Sequence, residues 1–493
     1  MCGGSFVLKN TAMNIRKIFL SIIVLSAVVL PGQAQNDSFL DFYRQRTQEF
    51  KDWRSKANSE FTEYLAAAWQ EFMVQRGKED PIGPVAEEPV YYNPQEHQSA
   101  SHGLPASGRM AVPAVVAPVP AVAAEYAGNG MVSIDFFGLQ ESVPFAENMR
   151  LPRIMASEQD ASKGWNVLSQ SDFMPAVEAF QDMRDKHALS DWALYTAVKK
   201  YTDAVYIEEY VNEKVLTQMF ILSQMQYKAR VGSSGGELIL LLPFTAPIYQ
   251  VSYISDGDED FYIFSYSRLN SQDPLYTFSD DFSGADRKLD LVIDKQMVVD
   301  YDYYRLKTLA SWAQYVDEEV KVPLNIPCVK FTLDYPQSDL LIYHRSAVDP
   351  ELQKAVFTQV RYKILKDGMD ELEAVGFVLT LIQRGFDYKT DYEMFGRSKP
   401  LFVEESFYYG ANNCKDRVLL FSWLVKDLLG LDVAMFCYKG HVACGVALPG
   451  EVTGDGYDFE GRRYVMCDPT YIGAPVGATM PKYRDVQPQI ILL

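Results

Sequence analysis

The sequence is short of positive charge, and this shortage excludes two classes of partner. Its 493 residues include 46 Lys and Arg against 65 Asp and Glu, which gives a formal net charge of −19. Nucleic acid and anionic membrane surfaces both require a basic footprint on the protein that binds them. We therefore expect no nucleic-acid partner and no anionic membrane partner.

Histidine is also scarce, with five residues in the whole chain. It is the side chain best suited to proton transfer near neutral pH, so the number of candidate general bases is small. His97 and His102 stand in a Pro-rich stretch, His187 falls between predicted helices, and His344 ends a predicted strand. His441 follows a glycine at the start of a predicted strand, shortly after a predicted helix, and is the candidate base.

The sequence lacks an apolar run long enough to span a bilayer comfortably. From Met13 it reads "MNIRKIFLSIIVLSAVVLPGQAQ", with two basic residues before an apolar run from Ile18 to Leu30. Gly32 and Ala34 then occupy the −3 and −1 positions of a small-residue cleavage site. We interpret residues 1–34 as a signal peptide with Met13 as the natural start. Since no cysteine follows the apolar run, we expect an exported protein, periplasmic or extracellular, without a lipid or transmembrane anchor.

Cysteine is sparse and unevenly placed. Five cysteines follow the predicted cleavage site: Cys328, Cys414, Cys437, Cys444 and Cys467. Export permits disulfides, but an odd number leaves at least one thiol unpaired or intermolecular. Because four of the five lie in the last 80 residues, we expect the free thiol there.

Periodicity and composition divide the chain after residue 34. They predict an N-terminal helix over 36–78, a Pro/Ala-rich linker over 79–127, a module over 128–285, a strand-rich bridging region over 286–348 and a C-terminal domain over 349–493. The helix either docks on its own chain or binds a protein partner. The acidic run "SDGDED" lacks the glycine and glutamate that an EF-hand needs, so we predict acidic turns and no metal site.

Cys414 stands where the loop "YYGANN" gives way to the apolar run "CKDRVLLFSWLV". This pattern predicts a helix from Cys414 to about Leu429, with Gly430 as its C-terminal cap. Unpaired backbone N–H groups at a helix N-terminus favour a thiolate and could hold an oxyanion. Cys414 is therefore the candidate nucleophile. Asp416 and Arg417 are interpreted as a surface pair in the first helical turn.

His441 follows Cys414 by 27 residues, which leaves room for one helix, one strand and a turn. The later predicted strand, "RRYVMCDPTY", contains Asp468. If the two strands form an antiparallel hairpin, His441 and Asp468 lie side by side on one face. Asp468 could then orient the imidazole that deprotonates Cys414.

The motifs "NNCKDR", "GHVACGV" and "CDPTY" resemble the transglutaminase-like superfamily, a relative of the papain-like cysteine proteases. The likeness is to secreted bacterial members and covers about residues 380–480. It implies Cys414 as nucleophile, His441 as base and Asp468 as orienter, in an α+β fold whose papain-like core packs a helix on an antiparallel sheet. Family members usually carry a Gly-Asp pair before the cysteine, where this chain has Asn412 and Asn413.

The implied chemistry is acyl transfer from an amide through a thioester, without a cofactor. Water as acceptor gives a peptidase or amidase, and an amine gives a transglutaminase. The expected substrate is a peptide, a protein or a cell-wall component. The alternative is a binding or scaffold protein that uses the fold without turnover.

The sequence leaves open a zinc site, the pairing of two cysteines and the identity of the second oxyanion donor. Cys437, His441, Cys444 and Cys467 could suggest zinc, but their spacing along strands sends the side chains to opposite faces. Cys444 and Cys467 are then buried thiols or a disulfide. Either Gln383 or Tyr388 could supply a second oxyanion donor.

The middle of the chain also resembles the C-terminal domain in its pattern. A shift of 204 residues superposes the apolar helix before "GGELILLLP" on the Cys414 helix. Cys414 then falls on Tyr210 and His441 on Glu237, while a shift of 203 puts Asp468 on Ser265. We predict a degenerate second copy over 128–285, although any amphipathic helix followed by a strand aligns similarly.

Overall fold

A computed structural model describes residues 33–94, 126–127, 130–269 and 273–493. The predicted signal peptide and most of the Pro/Ala-rich stretch lie outside these residues. Within them the fold is α+β, with sheets that are mostly antiparallel. The helices of the described part are all too short or too polar to cross a membrane.

The elements of the N-terminal and middle regions are α1 (Gln33–Leu65), β1 (Gln70–Phe72), β2 (Val90–Tyr91), β3 (Tyr126–Ala127), β4 (Met131–Phe136), β5 (Leu139–Pro144), α2 (Glu158–Ser169), α3 (Met174–His187), α4 (Asp191–Val205), α5 (Val211–Gln224), β6 (Arg230–Ser234), β7 (Glu237–Pro243), β8 (Tyr253–Asp256), β9 (Glu259–Phe264) and β10 (Leu275–Thr277). The elements that follow are β11 (Tyr304–Thr308), α6 (Ala313–Val316), β12 (Lys321–Asn325), α7 (Ile326–Thr332), α8 (Leu340–Arg345), α9 (Pro350–Asp367), α10 (Glu371–Gly385), β13 (Asp387–Tyr388), α11 (Asp391–Phe395), α12 (Val403–Tyr409), β14 (Ala411–Asn412), α13 (Cys414–Trp423), β15 (Val433–Tyr438), β16 (His441–Val446), β17 (Gly456–Phe459), β18 (Arg462–Cys467), β19 (Tyr471–Ile472) and β20 (Gln489–Leu492).

The N-terminal helix is shorter than its predicted range of 36–78. It ends at Leu65, and β1 then pairs with β10 at the edge of the middle sheet. Three alanines after Leu65 favour helix, but Trp69 is buried against Phe278 with ring centroids 5.7 Å apart. Tertiary packing here overrides helix propensity. The C-terminal half of α1 docks on its own chain, where Phe61 meets Trp165 edge-on at 4.7 Å.

The start of the predicted linker is not a free spacer. Residues 79–92, which we call the strap, run across the C-terminal domain and form β2 there. Ile82 is buried as the strap's apolar anchor. Composition predicted an extended chain but could not indicate the surface on which it lies.

The bridging region 286–348 has fewer strands than predicted. Its strands are β11 and β12, accompanied by α6, α7 and α8. In "KLDLVID" the alternating residues Leu289, Leu291 and Ile293 are buried, as a strand would require. However, side chains bind much of this backbone, since Tyr335 donates to the Leu291 carbonyl and the Ser346 hydroxyl accepts from the Ile293 N–H. Alternating burial therefore occurs here without a sheet.

The middle and C-terminal sheets share a strand order. The middle sheet runs β1-β10-β6-β7-β9-β8, and the C-terminal sheet runs β20-β15-β16-β18-β17, with antiparallel neighbours throughout. Each sheet packs a helix on its central strands, α5 on β7 and α13 on β16. One continuous apolar core contains residues of both regions.

The connection between β16 and β18 differs from the predicted simple hairpin. The two strands are antiparallel neighbours, with Cys444 opposite Cys467. The segment between them contains β17, which pairs with the outer side of β18. Pairing with β17 makes β18 an inner strand and so fixes the position of the loop that follows it.

Candidate active site

The N-terminus of α13 fixes the position of Cys414. Cys414 is the first residue of the helix and is fully buried. The Asn413 side chain accepts from the Lys415 N–H at 3.0 Å, and the Asp416 carboxylate accepts from the Asn413 N–H at 3.0 Å. This reciprocal capping box pins the first turn. The Asn413 departure from the family pattern is thus an N-cap, which is a role that asparagine fills well.

The helix is interrupted before its predicted end near Leu429. Regular α-helix stops at Trp423, and a π-helical turn covers Leu424–Leu428. Gly430 follows with a φ of 72°, in the left-handed region that favours a glycine cap.

His441 and Asp468 are in direct contact. The imidazole Nε2 lies 2.9 Å from Asp468 Oδ2, and both side chains are buried. The ring stacks on Tyr483 with centroids 4.9 Å apart and planes 11° apart, and on Tyr438 at 6.2 Å. These contacts fix the ring orientation, and Nδ1 is the nitrogen left for Cys414.

The electrostatics of His441 connect all three predicted site residues. Burial alone would lower the pKa of the imidazole, but the charge and hydrogen bond of Asp468 oppose this effect. A hydrogen bond with Cys414 adds to them, and the pKa of His441 is raised well above its ordinary value. An imidazole that a buried carboxylate makes more basic is suited to take the proton of a neighbouring thiol.

The loop after β18 holds Asp468 rigidly. Its Oδ1 accepts from the backbone N–H groups of Thr470 at 2.9 Å and Tyr471 at 3.2 Å. Its carbonyl accepts from Gln383 Nε2 at 3.1 Å, and Gln383 Oε1 accepts from the Gly473 N–H at 2.9 Å. Both ends of the Gln383 amide are therefore engaged in holding this loop, which makes Gln383 a positioning residue.

Tyr388, the other candidate oxyanion donor, is close enough to Cys414 to interact with it electrostatically. Burial raises the pKa of Tyr388, and the charge at Cys414 raises it further. Its hydroxyl donates to the Ala86 carbonyl of the strap at 2.7 Å. Tyr388 thus binds a backbone carbonyl close to Cys414.

The interpretation of Asp416 and Arg417 as a surface pair is wrong. Both are buried, with 0% and 1% of their surface exposed. The Arg417 guanidinium donates to Asn412 Oδ1 at 3.0 Å and to the carbonyls of Gln383, Phe386 and Pro469. It thereby joins the nucleophile helix to α10 and to the Asp468 loop. The sequence shows a charge in a first helical turn but not the carbonyls that surround it.

A second buried network borders the thiol and was not predicted. Lys415 Nζ lies 2.9 Å from Asp391 Oδ2 and 3.8 Å from Asp80 Oδ2 of the strap. The Asn413 amide donates to the other oxygen of Asp391 at 2.6 Å. Asp391 begins α11 after a Thr390 N-cap, which was the available sequence signal for its position.

The remaining cysteines form no disulfide among the described residues. Cys444 and Cys467 are directly opposite each other as free buried thiols, and Cys444 Sγ donates to the Cys467 carbonyl at 3.0 Å. Across the described part of the chain, no group of three or more His, Cys, Asp and Glu is arranged to hold a metal ion.

The other histidines lie elsewhere. His187 binds Glu141 at 2.6 Å, and burial lowers the pKa of His344 to about 4. His97 and His102 fall outside the described residues.

Comparisons with family models, curated proteins and solved structures found no match for this chain. The likeness to transglutaminase-like proteins therefore rests on the residues themselves.

Proposed function

We propose that this protein is a thiol acyl enzyme of the transglutaminase-like type that acts on amide bonds. Cys414 is the nucleophile, His441 the base and Asp468 its orienter. One observation carries the proposal: His441 has Nε2 2.9 Å from a buried carboxylate, and both that carboxylate and Cys414 raise the pKa of its imidazole. A structural cysteine has no need of such a partner.

In the proposed mechanism His441 Nδ1 takes the thiol proton, and the sulfur attacks the amide carbon. The Cys414 N–H, which has no acceptor within the helix, and the Tyr388 hydroxyl stabilise the oxyanion. The imidazolium then gives its proton to the leaving amine, and a thioester remains on Cys414. Water or an amine attacks the thioester carbon while His441 takes a proton from it. The C–S bond then breaks, the acid or the new amide leaves, and the imidazolium returns its proton to the sulfur.

We propose a papain-like core for the C-terminal domain and a degenerate copy of it in the middle region. Strand register supports the second part. Ser234 pairs with Glu237 as Tyr438 pairs with His441, a shift of 204 residues. Tyr253 pairs with Tyr262 as Gly456 pairs with Val465, a shift of 203. A chance likeness of one helix and one strand would not carry the register through four strands.

The middle copy would be inactive, because none of its residues replaces the triad. Tyr210 is the N-cap of α5, and its ring lies under the Arg153 guanidinium. Glu237 begins β7 and accepts from the Ser267 hydroxyl at 3.0 Å, while Ser265 follows β9. A phenol and an isolated carboxylate cannot reproduce thiol–imidazole chemistry.

The C-terminal domain has a longer connection between two helices than the middle region has, and this connection supplies site residues. In the middle region α4 ends at Val205 and α5 begins at Val211, whereas α10 ends at Gly385 and α13 begins at Cys414. This longer connection carries Tyr388 and Asp391. We further propose export, on the strength of the signal-peptide pattern alone, and a peptide, protein or cell-wall substrate.

The test compares the native chain with Cys414→Ala, each with the strap intact and with the strap cut. Casein and a fluorescent primary amine are offered, and released ammonia, new peptide ends and incorporated amine are measured. Activity that requires Cys414 supports the proposal, and amine incorporation distinguishes transfer from hydrolysis. Cys328→Ser, which replaces a buried thiol outside the triad and keeps a donor for Gln296 Oε1, is the matched control and should retain activity. Activity that survives Cys414→Ala would overturn the proposal. The absence of activity in the native chain, both with the strap intact and with the strap cut, would favour a scaffold protein.

A further inference from the structure

The strap contacts the chain neighbours of Cys414 and His441 and the strand that follows Asp468. The Ile82 carbonyl accepts from the N–H of Gly440, the residue before His441, at 2.7 Å. Asp80 faces Lys415, the residue after Cys414, at 3.8 Å. A single short segment therefore contacts the neighbours of both the nucleophile and the base.

The middle of the strap presents a backbone carbonyl to Tyr388. Tyr388 donates its hydroxyl to the Ala86 carbonyl at 2.7 Å, and Cys414 has no exposed surface. In the proposed mechanism the same hydroxyl stabilises the oxyanion of an attacked carbonyl. The Ala86 carbonyl thus occupies a hydrogen bond that the substrate would need.

The end of the strap adds a strand beside Asp468. Val90 and Tyr91 pair in parallel with Tyr471 and Ile472, and the Tyr92 N–H donates to the Ile472 carbonyl at 2.8 Å. An extended chain that pairs with an exposed strand is a common mode of peptide recognition. Val90 and Tyr91 keep 42% and 69% of their surface exposed, so main-chain pairing carries most of this contact.

The strap also divides a larger space. Cavities of about 710 and 840 Å³ are both lined by Asp80, Gly83 and Pro84. The first extends to Thr390 and Lys415, and the second to Tyr438 and Cys437 beside the base. Removing the strap would join the two into one groove that runs from Lys415, the residue after Cys414, to Tyr438, whose ring stacks on His441.

We propose that the strap occupies the groove that receives the acyl-donor chain, so that the substrate is an extended polypeptide recognised through its backbone and Cys414 reacts after the strap has moved. This inference rests on the proposed function, because it takes Cys414 as the reacting group. The strap acts as a resident competitor whose release opens the site.

The test places a cleavable sequence in the strap. A recognition sequence for a site-specific protease is inserted between Glu87 and Glu88, which are both exposed. The matched control carries the same insert between Gly257 and Asp258, an exposed turn between β8 and β9. The rate of Cys414 alkylation by iodoacetamide is measured by peptide mapping before and after cleavage. We expect a rise of at least about tenfold on cutting the strap and no change in the control.

A synthetic peptide of residues 80–92, "DPIGPVAEEPVYY", tests the substrate class. Added to the cut protein, it should slow the alkylation again, whereas a scrambled peptide should not. Tyr92→Pro is a second variant, which removes one strap hydrogen bond and the ring contact with Tyr471 without an insert, and it should also speed the reaction. Equal rates before and after cutting, or no protection by the peptide, would overturn the inference.

These outcomes are separable from those of the proposed function. Alkylation needs no turnover. Faster alkylation after cutting, without any acyl transfer, would therefore support the proposed role of the strap and count against the proposed enzymatic function. Equal rates of acyl transfer by the uncut and the cut chain would support the proposed enzymatic function and overturn the proposal that the strap blocks the groove.

Discussion

The Nε2 atom of His441 lies 2.9 Å from Oδ2 of Asp468. His441 begins β16 and Asp468 directly follows β18, and the connection between these two neighbouring strands contains β17. This contact fixes the ring, raises the pKa of His441 and leaves Nδ1 for Cys414. The chemistry proposed above depends on this one pair.

Replacing Asp468 by Asn should weaken the base while keeping the size of the side chain. Without the carboxylate charge the pKa of His441 falls, and the amide favours the wrong ring tautomer. We expect acyl transfer to drop by about 10²–10⁴-fold, as when the orienting acid of a triad is lost. Rates are measured on the strap-cut protein. Asp458→Asn on the exposed face of β17 is the control, and an equal loss in that variant would contradict the assignment.

Removing the Tyr388 hydroxyl separates transition-state stabilisation from thiol reactivity. In the strap-cut protein Tyr388→Phe should lower acyl transfer by about 10²-fold, the usual cost of one oxyanion donor. Alkylation of Cys414 should change little, because it forms no oxyanion. Tyr362→Phe, at an exposed tyrosine of α9 outside both cavities, should change neither rate. Unchanged transfer in Tyr388→Phe would remove this residue from the mechanism.

Arg417→Met should destabilise the C-terminal domain. It leaves Asn412 Oδ1 and three carbonyls without their buried donor. Since hydrogen bonds to charged groups contribute about 1.5–3 kcal/mol, we expect the free energy of unfolding to fall by about 3 kcal/mol in urea titrations. Arg361→Met on the exposed face of α9 is the control. A loss below about 1 kcal/mol would show that the network has little structural role.

The buried carboxyl of Glu404 predicts a pH dependence of stability. Burial raises the pKa of Glu404 to about 8, so the folded state keeps a proton that the unfolded chain has lost above its ordinary pKa. Stability should therefore fall as the pH rises from about 5 to 8, by up to about 1.4 kcal/mol per pH unit for one proton.

Glu404→Gln tests this pH dependence, because it keeps the acceptor for the Asp349 N–H while removing the titration. Urea unfolding at pH 5, 6.5 and 8 should show a shallower slope in this variant. Some slope should remain below pH 7, because burial and the charge of Asp391 raise the pKa of Asp416 to about 7. Glu451→Gln, at an exposed position, should match the native slope. If Glu404→Gln also matches it, the pH dependence arises elsewhere.

The sequence predicted where Cys414 and His441 lie in the secondary structure, because each stands at the junction of two strongly patterned elements. Cys414 and His441 each begin an element as predicted, and Asp468 directly follows its strand. Local signals of this kind need no knowledge of distant packing.

The other features could not be predicted, because they depend on contacts between residues that are far apart in the sequence. Arg417 is buried because carbonyls from three separate segments converge on it. The end of α1 was missed because Trp69 is held by Phe278, some 200 residues later. A Pro-rich composition predicts an extended chain, and so a spacer, but it does not indicate the groove in which the strap lies.

Alkylation of Cys414 as a function of pH tests the central claim most directly. It is measured on the strap-cut protein, on the same protein with His441→Ala and on a control with His344→Ala, which removes a histidine outside the triad. The account predicts that Cys414 reacts well below the pH at which an ordinary thiol reacts, that His441→Ala removes this reactivity at low pH, and that His344→Ala does not. Coincident pH profiles for the native protein and His441→Ala would contradict the claim that Cys414 and His441 form a catalytic pair.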